Sequence, residues 1–423
     1  MNKPHQKLIA LIKKVDLFYW SLFSGILVWL SIFIVTPANP TNPISFSTLS
    51  YLILSFSIFI IGYRCRIDIT PKSINDTSYK SFYFLTVLLV SIGFAVRFID
   101  LFFIRNLSFT FDVITNRQLN ENNNFLLFSI IGGLRNMFFT PLIFYFLQKR
   151  KNILQFLYSL SLFFLPFIEA VLKGSRSPFL ISFFLLFIVL LYFNKIKFNL
   201  KFLLASFLIS LILILISFLI FGNREKNQIK NYSEEIILLH AKYNDLYKPN
   251  QAFLKWYNQE DNKALKSGGF YLLQIGQYYN HGVFECNNLI QQPSLKHQYG
   301  KYSFYIIPQF FNKIGWTHYD LEKISESHPR GYTFVGFLGE LFIDWGWLSL
   351  IFLFLFGMVQ RIVYEFIKVK SFTFLPLYFF LLFGNFFILT FNFFGGNGTI
   401  FLIFTSIFAF YGIINPQKRF FKE

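Results

Sequence analysis

Along most of this 423-residue chain, near-continuous apolar runs alternate with short hydrophilic connections. About 20 apolar residues make a helix long enough to cross a hydrocarbon core of roughly 30 Å. On that measure the pattern predicts ten spans, near Leu17 to Thr36, Ile44 to Tyr63, Ser81 to Ile99, Phe125 to Leu147, Ile153 to Val171, Pro178 to Phe193, Phe202 to Phe221, Thr333 to Met358, Phe372 to Phe391 and Thr399 to Ile414. The expected fold class is an all-α polytopic membrane protein with about ten transmembrane helices and one large outer loop. Residues 1–221 carry spans one to seven, residues 222–332 form the long hydrophilic segment, and residues 333–423 carry spans eight to ten and a tail.

The polar connections orient this array. One alternating set holds Lys3, Lys7, Lys13 and Lys14; Arg64, Arg66, Lys72 and Lys80; Lys149, Arg150 and Lys151; Lys195, Lys197 and Lys201; Arg361, Lys368 and Lys370; and Lys418, Arg419 and Lys422, a total of 20 basic residues. The short connections of the other set hold only Arg105, Arg117, Lys173 and Arg176. Lys and Arg concentrate on the cytoplasmic side, so both termini are expected there and the long segment is expected outside.

Composition agrees. With 54% hydrophobic residues the chain reads as an integral membrane protein, and its +18 charge is accounted for by orientation and anionic headgroups, with no nucleic-acid partner. The 63 Phe residues are abundant together with Ile, Asn and Lys, which points to coding bias more than to a stacking function. Cys65 and Cys286 are expected on opposite sides of the membrane and so unable to pair. The first apolar run is full-span and lacks a small-residue cleavage pattern, so it reads as a retained helix. No inner connection has room for a nucleotide-sugar domain, and no phosphate-cradling Gly-rich motif is present.

The outer segment has 13 basic and 10 acidic residues and five of the six histidines: His240, His281, His297, His318 and His328. Within it, Gly268 to Ile290 mixes apolar residues with Tyr278, Tyr279, Asn280 and His281. This pattern suits helices at the interface, a packed cap on the bundle, or tyrosines that stack on sugar.

Charges in or beside spans are costly unless they find a partner or a wet cavity. Arg135 lies in span four after Gly132 and Gly133. Arg97 and Asp100, three apart, are placed to pair on one helical face, as are Glu169 and Lys173, four apart. Gly174 and Pro178 bracket a turn that presents Ser175, Arg176 and Ser177 outward, and the planar fork of an arginine matches phosphate oxygens. From Ser327 to Trp347 the chain runs from the outer segment into span eight, with Glu340 and Asp344 on one face below His328 and Arg330. A general base, a cation-clamping pair and a polar packing seam each account for the two carboxylates.

The Gly-Ser-Arg-Ser turn after span five, the single large outer segment, and the entry Gly331-Tyr-Thr-Phe-Val-Gly-Phe-Leu-Gly-Glu-Leu-Phe-Ile-Asp-Trp-Gly346 together resemble the O-antigen polymerase (Wzy) family. The likeness covers the whole chain as an architecture, and its specific residues lie in Gly174 to Pro178 and His328 to Gly346. An arginine followed after ten residues by glycine, described in some members' outer loops, does not start at Arg176, Arg224 or Arg330.

The resemblance implies a GT-C-like glycosyltransferase of the bacterial inner membrane that polymerises repeat units carried on undecaprenyl diphosphate. It would work beside a flippase and a chain-length regulator, with membrane lipids as its surroundings. Under it, Arg176 and Arg135, with Ser175, face the diphosphate. Glu340 is the first choice for the base, His328 the second, and Arg330 and Asp344 shape the acceptor side. No cofactor and no metal are expected: the connection from Pro37 to Pro43 has no acidic residue, and Asp320 with Glu322 is a lone Asp-x-Glu pair. A lipid-linked glycan ligase, a flippase or transporter, and a non-catalytic assembly partner share parts of the pattern.

Overall fold

The computed structural model describes residues 16–65, 78–108, 115–116, 119, 126–148, 152–173, 175, 177–195, 238, 241–330, 334–369 and 371–414. The expected seventh span, Phe202 to Phe221, lies outside them, as do Gly174, Arg176 and residues 331–333.

In chain order the helices are α1 (Leu17–Val35), α2 (Phe46–Arg64), α3 (Ser78–Ile99), α4 (Leu126–Gly133), α5 (Thr140–Leu147), α6 (Ile153–Phe164), α7 (Pro166–Lys173), α8 (Ser177–Tyr192), α9 (Gln251–Gln259), α10 (Lys263–Ile290), α11 (Ile306–Lys313), α12 (Leu321–Ser325), α13 (Phe337–Trp345), α14 (Ser349–Lys368), α15 (Leu375–Phe386) and α16 (Asn397–Ile414). Two three-residue strands, β1 (Ala38–Pro40) and β2 (Tyr247–Pro249), pair antiparallel. Short polar side chains start several helices by accepting backbone N–H groups that have no partner inside the helix: Asp16 from Phe18, Ser45 from Thr48, Asn152 from Leu154, Asn250 from Phe253 and Asp320 from Lys323. The Asp-x-Glu pair is thereby explained, because Asp320 is a cap.

Among the described residues five helical stretches are long and apolar enough to cross a membrane: Leu17–Val35, Phe46–Arg64, Tyr79–Ile104, Ile153–Lys173 and Phe337–Lys368. Phe128–Met137 and Thr140–Leu147, bent by 41° to one another, are long enough when the two are taken as one span, and Ser177–Tyr192, Phe372–Phe386 and Asn397–Tyr411 are shorter apolar helices. Surface and interior are distributed as lipid requires. Ile34, Phe103, Leu88, Ile351 and Ile407 face outward, whereas Ser21, Ser55, Thr86, Ser159 and Ser182 are buried between helices. Rings such as Phe18, Phe59, Phe163 and Phe383 fill the interior, and small residues let backbones approach at particular contacts. A Cβ on Gly62 would meet the Phe354 carbonyl oxygen at 2.1 Å, and one on Gly357 would meet that of Phe59 at 2.3 Å, which sets the spacing of α2 and α14. α15 is buried all round and is the centre of the bundle. Its Asn385 exchanges two hydrogen bonds with Gln360 of α14, at 2.8 and 3.0 Å.

The eighth span differs from its expectation of Thr333 to Met358. α13 stops at Gly346, whose φ of +54° is a conformation that glycine adopts cheaply, and the 20-residue α14 then runs to Lys368. Arg361 and Glu365, expected in a connection, are an ion pair on its last turns.

One end of the bundle carries the hydrophilic segment. The β1–β2 pairing joins the connection after α1 to residues 247–249. α10 packs over the same end: a Cβ on Gly276 would meet the Thr36 side chain at 1.9 Å, and Asn287 accepts from Ser45 N and Thr48 Oγ1, both at 2.9 Å. The stretch Gly268 to Ile290 is therefore a packed cap. Its Tyr278 and Tyr279 lie against Phe391.

Candidate functional site

Three polar clusters sit in and under this cap. The first joins spans three, four and five. Arg97 donates from Nη1 to Asp100 Oδ2 at 2.6 Å and from Nη2 to Glu169 Oε1 at 2.7 Å. Arg135 donates from Nε to Glu169 Oε2 at 2.9 Å, and Lys173 Nζ to Glu169 Oε1 at 2.5 Å. Arg105 Nε reaches both Asp100 oxygens at 3.0 Å.

The intrahelical pairs Arg97 with Asp100 and Glu169 with Lys173 were expected from their spacing. Arg135 had two expected fates, and the structure gives it an ion pair. It stands on the turn Leu134–Met137, just before the span bends, and its Nη1 donates to the Gly132 carbonyl at 2.8 Å. Among the described residues four cationic side chains surround two carboxylates. Lys313 of the cap lies near enough for Arg105, after burial, to lower its pKa. Ser175 follows Lys173, and its hydroxyl is 3.2 Å from that of Ser177.

The second cluster is at the entry to α13. Asp344, fully buried, accepts the backbone N–H groups of Tyr302 at 3.0 Å and Ser303 at 2.8 Å and so anchors that turn. Glu340 is half-buried and accepts from Asn392 Nδ2 at 2.6 Å; the same amide nitrogen donates to the Ser303 carbonyl at 3.1 Å. Glu340 and Asp344 thus share a helical face and a turn, but neither forms a hydrogen bond or ion pair with His328 or Arg330 among the described contacts.

His328 and Arg330 belong instead to a third cluster, centred on Glu285 of α10. Glu285 has no solvent exposure; its Oε2 is 3.4 Å from His328 Nε2, and its Oε1 accepts from Arg330 Nε at 3.0 Å. Arg330 also donates to Asp245 Oδ2 at 3.0 Å and to the Lys242 carbonyl at 2.7 Å. Burial raises the Glu285 pKa, but the hydrogen bond with His328 and the Arg330 charge together hold it below the usual carboxylate range.

One turn earlier, His281 packs against Tyr243 and Phe334, and among the described residues its ring meets no polar side chain at hydrogen-bond distance, only the Tyr278 backbone nearby. Burial pushes its pKa down to about 4 despite the nearby Glu285 carboxylate, which leaves the ring neutral. Tyr302 links the second and third clusters: burial, then the charges of Glu340, Asp344 and Glu285, raise its hydroxyl pKa.

The sequence reading missed Glu285, although a signal was present: it stands four residues after His281 in an otherwise apolar stretch. Arg97, Arg105 and Lys173 were seen only as pairing or orienting charges, because their meeting with Arg135 depends on the packing of three spans. Among the described residues no group of three His, Cys, Asp or Glu side chains could hold a metal ion. Cys286 is buried and free, and so is the half-buried Cys65 free. No protein-family model, curated protein or solved structure matches this chain.

Proposed function

We propose that the chain is a glycosyltransferase that polymerises oligosaccharide repeat units carried on undecaprenyl diphosphate, at the outer face of a bacterial cytoplasmic membrane. It would do so with ten spans in a GT-C-like arrangement and both termini inside. The observation that supports this best is the cation-rich cluster of Arg97, Arg105, Arg135 and Lys173, set in membrane-spanning helices, with Lys313 of the cap beside it.

A lipid diphosphate gains negative charge as its bond to the sugar breaks, and fixed cations held away from bulk water stabilise that charge where it develops. Glu169 and Asp100 keep the cations in place before substrate arrives. Arg176, outside the described residues, follows this cluster by three positions and is proposed to reach the same diphosphate, with Ser175 beside it. The second and third clusters are the acceptor side, where a sugar hydroxyl must lose a proton. Glu340 and His328 are the groups available to take it, and Arg330 and Asp344 hold the surrounding turns.

Purified protein in lipid nanodiscs, given a lipid-linked repeat unit, is expected to form a ladder of longer lipid-linked glycans, and Arg97→Gln or Arg105→Gln to slow it at least tenfold. In cells, deletion is expected to leave single repeat units on their acceptor. Polymer stranded on the lipid carrier would identify a ligase, and no glycan outside would identify a flippase.

A further inference from the structure

We propose that Glu285 is a positioning residue that fixes the His328 imidazole with its proton on Nε2, leaving Nδ1 as the atom that takes the acceptor hydroxyl's proton. The inference rests on the polymerase reading for its chemistry and on the third cluster for its geometry. Nε2 faces Glu285 Oε2 at 3.4 Å, and a carboxylate can only accept, so the proton belongs on Nε2 and the lone pair on Nδ1. Nδ1 itself has no hydrogen-bond partner among the described residues, and His328 keeps only 3% of its surface exposed.

The other Glu285 oxygen is held by Arg330, whose guanidinium is in turn fixed by Asp245 and the Lys242 carbonyl, so the carboxylate cannot swing away from the imidazole. Among the described residues the groups that face this pair include His281 on α10, Arg330 on the same segment as His328, Lys242 and Asp245 on the turn before β2, and Tyr302. His281 remains neutral and does not compete for the carboxylate's charge. Glu340, by contrast, has the Asn392 amide as its hydrogen-bond partner, with no ion pair to a cation or imidazole among the described residues.

In the step itself, the acceptor hydroxyl oxygen bonds to the donor's anomeric carbon. The bond from that carbon to the diphosphate oxygen breaks, and its electron pair leaves on the lipid diphosphate. The hydroxyl proton passes to His328 Nδ1, while Glu285 stabilises the imidazolium and stays ionised. A carboxylate that holds an imidazole in the productive tautomer and supports its cation is a general device for acyl or glycosyl acceptors alike.

Two measurements test the pair. In turnover of a lipid-linked repeat unit, Glu285→Gln is expected to lower kcat by about 100-fold with KM within about twofold, since loss of a positioned base is worth that much. Glu285→Asp is expected to recover part of the loss, and adding Glu285→Gln to His328→Gln to cost nothing further. In 15N spectra of histidine-labelled protein, with His328 assigned by its absence in His328→Gln, the wild-type ring is expected as the Nε2–H tautomer and Glu285→Gln as a mixture. If Glu285→Gln melts early, Glu285→Asp carries the comparison because it keeps the charge. A wild-type Nδ1–H tautomer, or equal losses from Glu285→Gln in both backgrounds, overturns the positioning role. Turnover with an unimpaired Glu285→Gln removes the pair and leaves the polymerase reading standing. Tautomer control in a wild-type chain that extends no lipid-linked glycan removes the proton-transfer role and the polymerase reading together.

Discussion

Single residues differ most in how many partners depend on them. Glu169 accepts from Arg97, Arg135 and Lys173, whereas Arg135 has Glu169 and a backbone carbonyl. Removing a carboxylate that neutralises several buried cations strands their charge, at a cost on the order of 3–5 kcal/mol. Glu169→Gln is therefore expected to lower the melting temperature in detergent more than Arg135→Gln does; the reverse order would mean that the cations are held by something other than Glu169.

His281 gives a pH prediction. Its folded pKa of about 4 lies below the ordinary 6.5, so the unfolded cap binds the proton more readily, and cap stability is full above pH 6.5 and lost as pH falls toward 4. The shift corresponds to about 3 kcal/mol. Glu285, held below its ordinary value, loses stability in the same direction but only below the usual carboxylate range. Amide exchange across α10 should accelerate between pH 6.5 and 4, and His281→Phe should flatten that rise; a cap indifferent to pH in this window contradicts the burial of a neutral ring. At this scale the sequence revealed pairs spaced three or four apart, because helical geometry alone brings them together. Glu285 with Arg330, 45 positions apart, needed the packing of the cap onto the segment before α13.

At the level of elements, apolar run length located helices well and their interruptions poorly. α1, α2 and α16 start and stop near their expected limits, since hydrophobicity changes sharply there. The bend in the fourth span follows Arg135 and Asn136, and the stop at Gly346 follows Glu340 and Asp344; run length counts such polar residues as part of a span and does not mark where the helix breaks. α14 accordingly begins later and ends later than the expected eighth span. Its close contact with α2 through Gly62 and Gly357 yields a direct prediction. Gly357→Leu must push apart two backbones that a single Cβ would already overlap, with a cost of about 1–3 kcal/mol or more for such overpacking. Gly268→Ala, which meets nothing within 4 Å, is the control and should leave the melting temperature within about a degree of the parent. Equal behaviour of the two variants would mean that α2 and α14 are not this close.

For the whole molecule, the alternation of charge predicts sidedness. Single cysteines at Tyr299, Trp316 and Tyr319, all exposed on the cap, are expected to react with an impermeant maleimide from outside, and one at Lys368 only after the membrane is opened. Native Cys286 is too buried to report either way. Labelling at Lys368 in sealed cells with protection at Trp316 would invert the assignment. The general plan of a helical bundle with one hydrophilic segment could be read from the chain because lipid imposes length and composition. Which polar residues meet in and under the cap could not, because those contacts join positions far apart in the chain, such as Arg97 with Glu169, Glu285 with Arg330 and Glu340 with Asn392.

The short ribbon of β1 and β2 bears on how such a molecule matures. Its strands are roughly 200 residues apart, and closing a chain of that length costs about 5 kcal/mol in entropy before any contact is gained. Three paired residues cannot meet that cost unaided, so the ribbon can close only once helices between and around it already hold its ends together. During synthesis the connection after α1 therefore waits unpaired through the insertion of several later helices. The ribbon is therefore a consequence of helix packing, a tie that closes only after the elements joining its two strands have met.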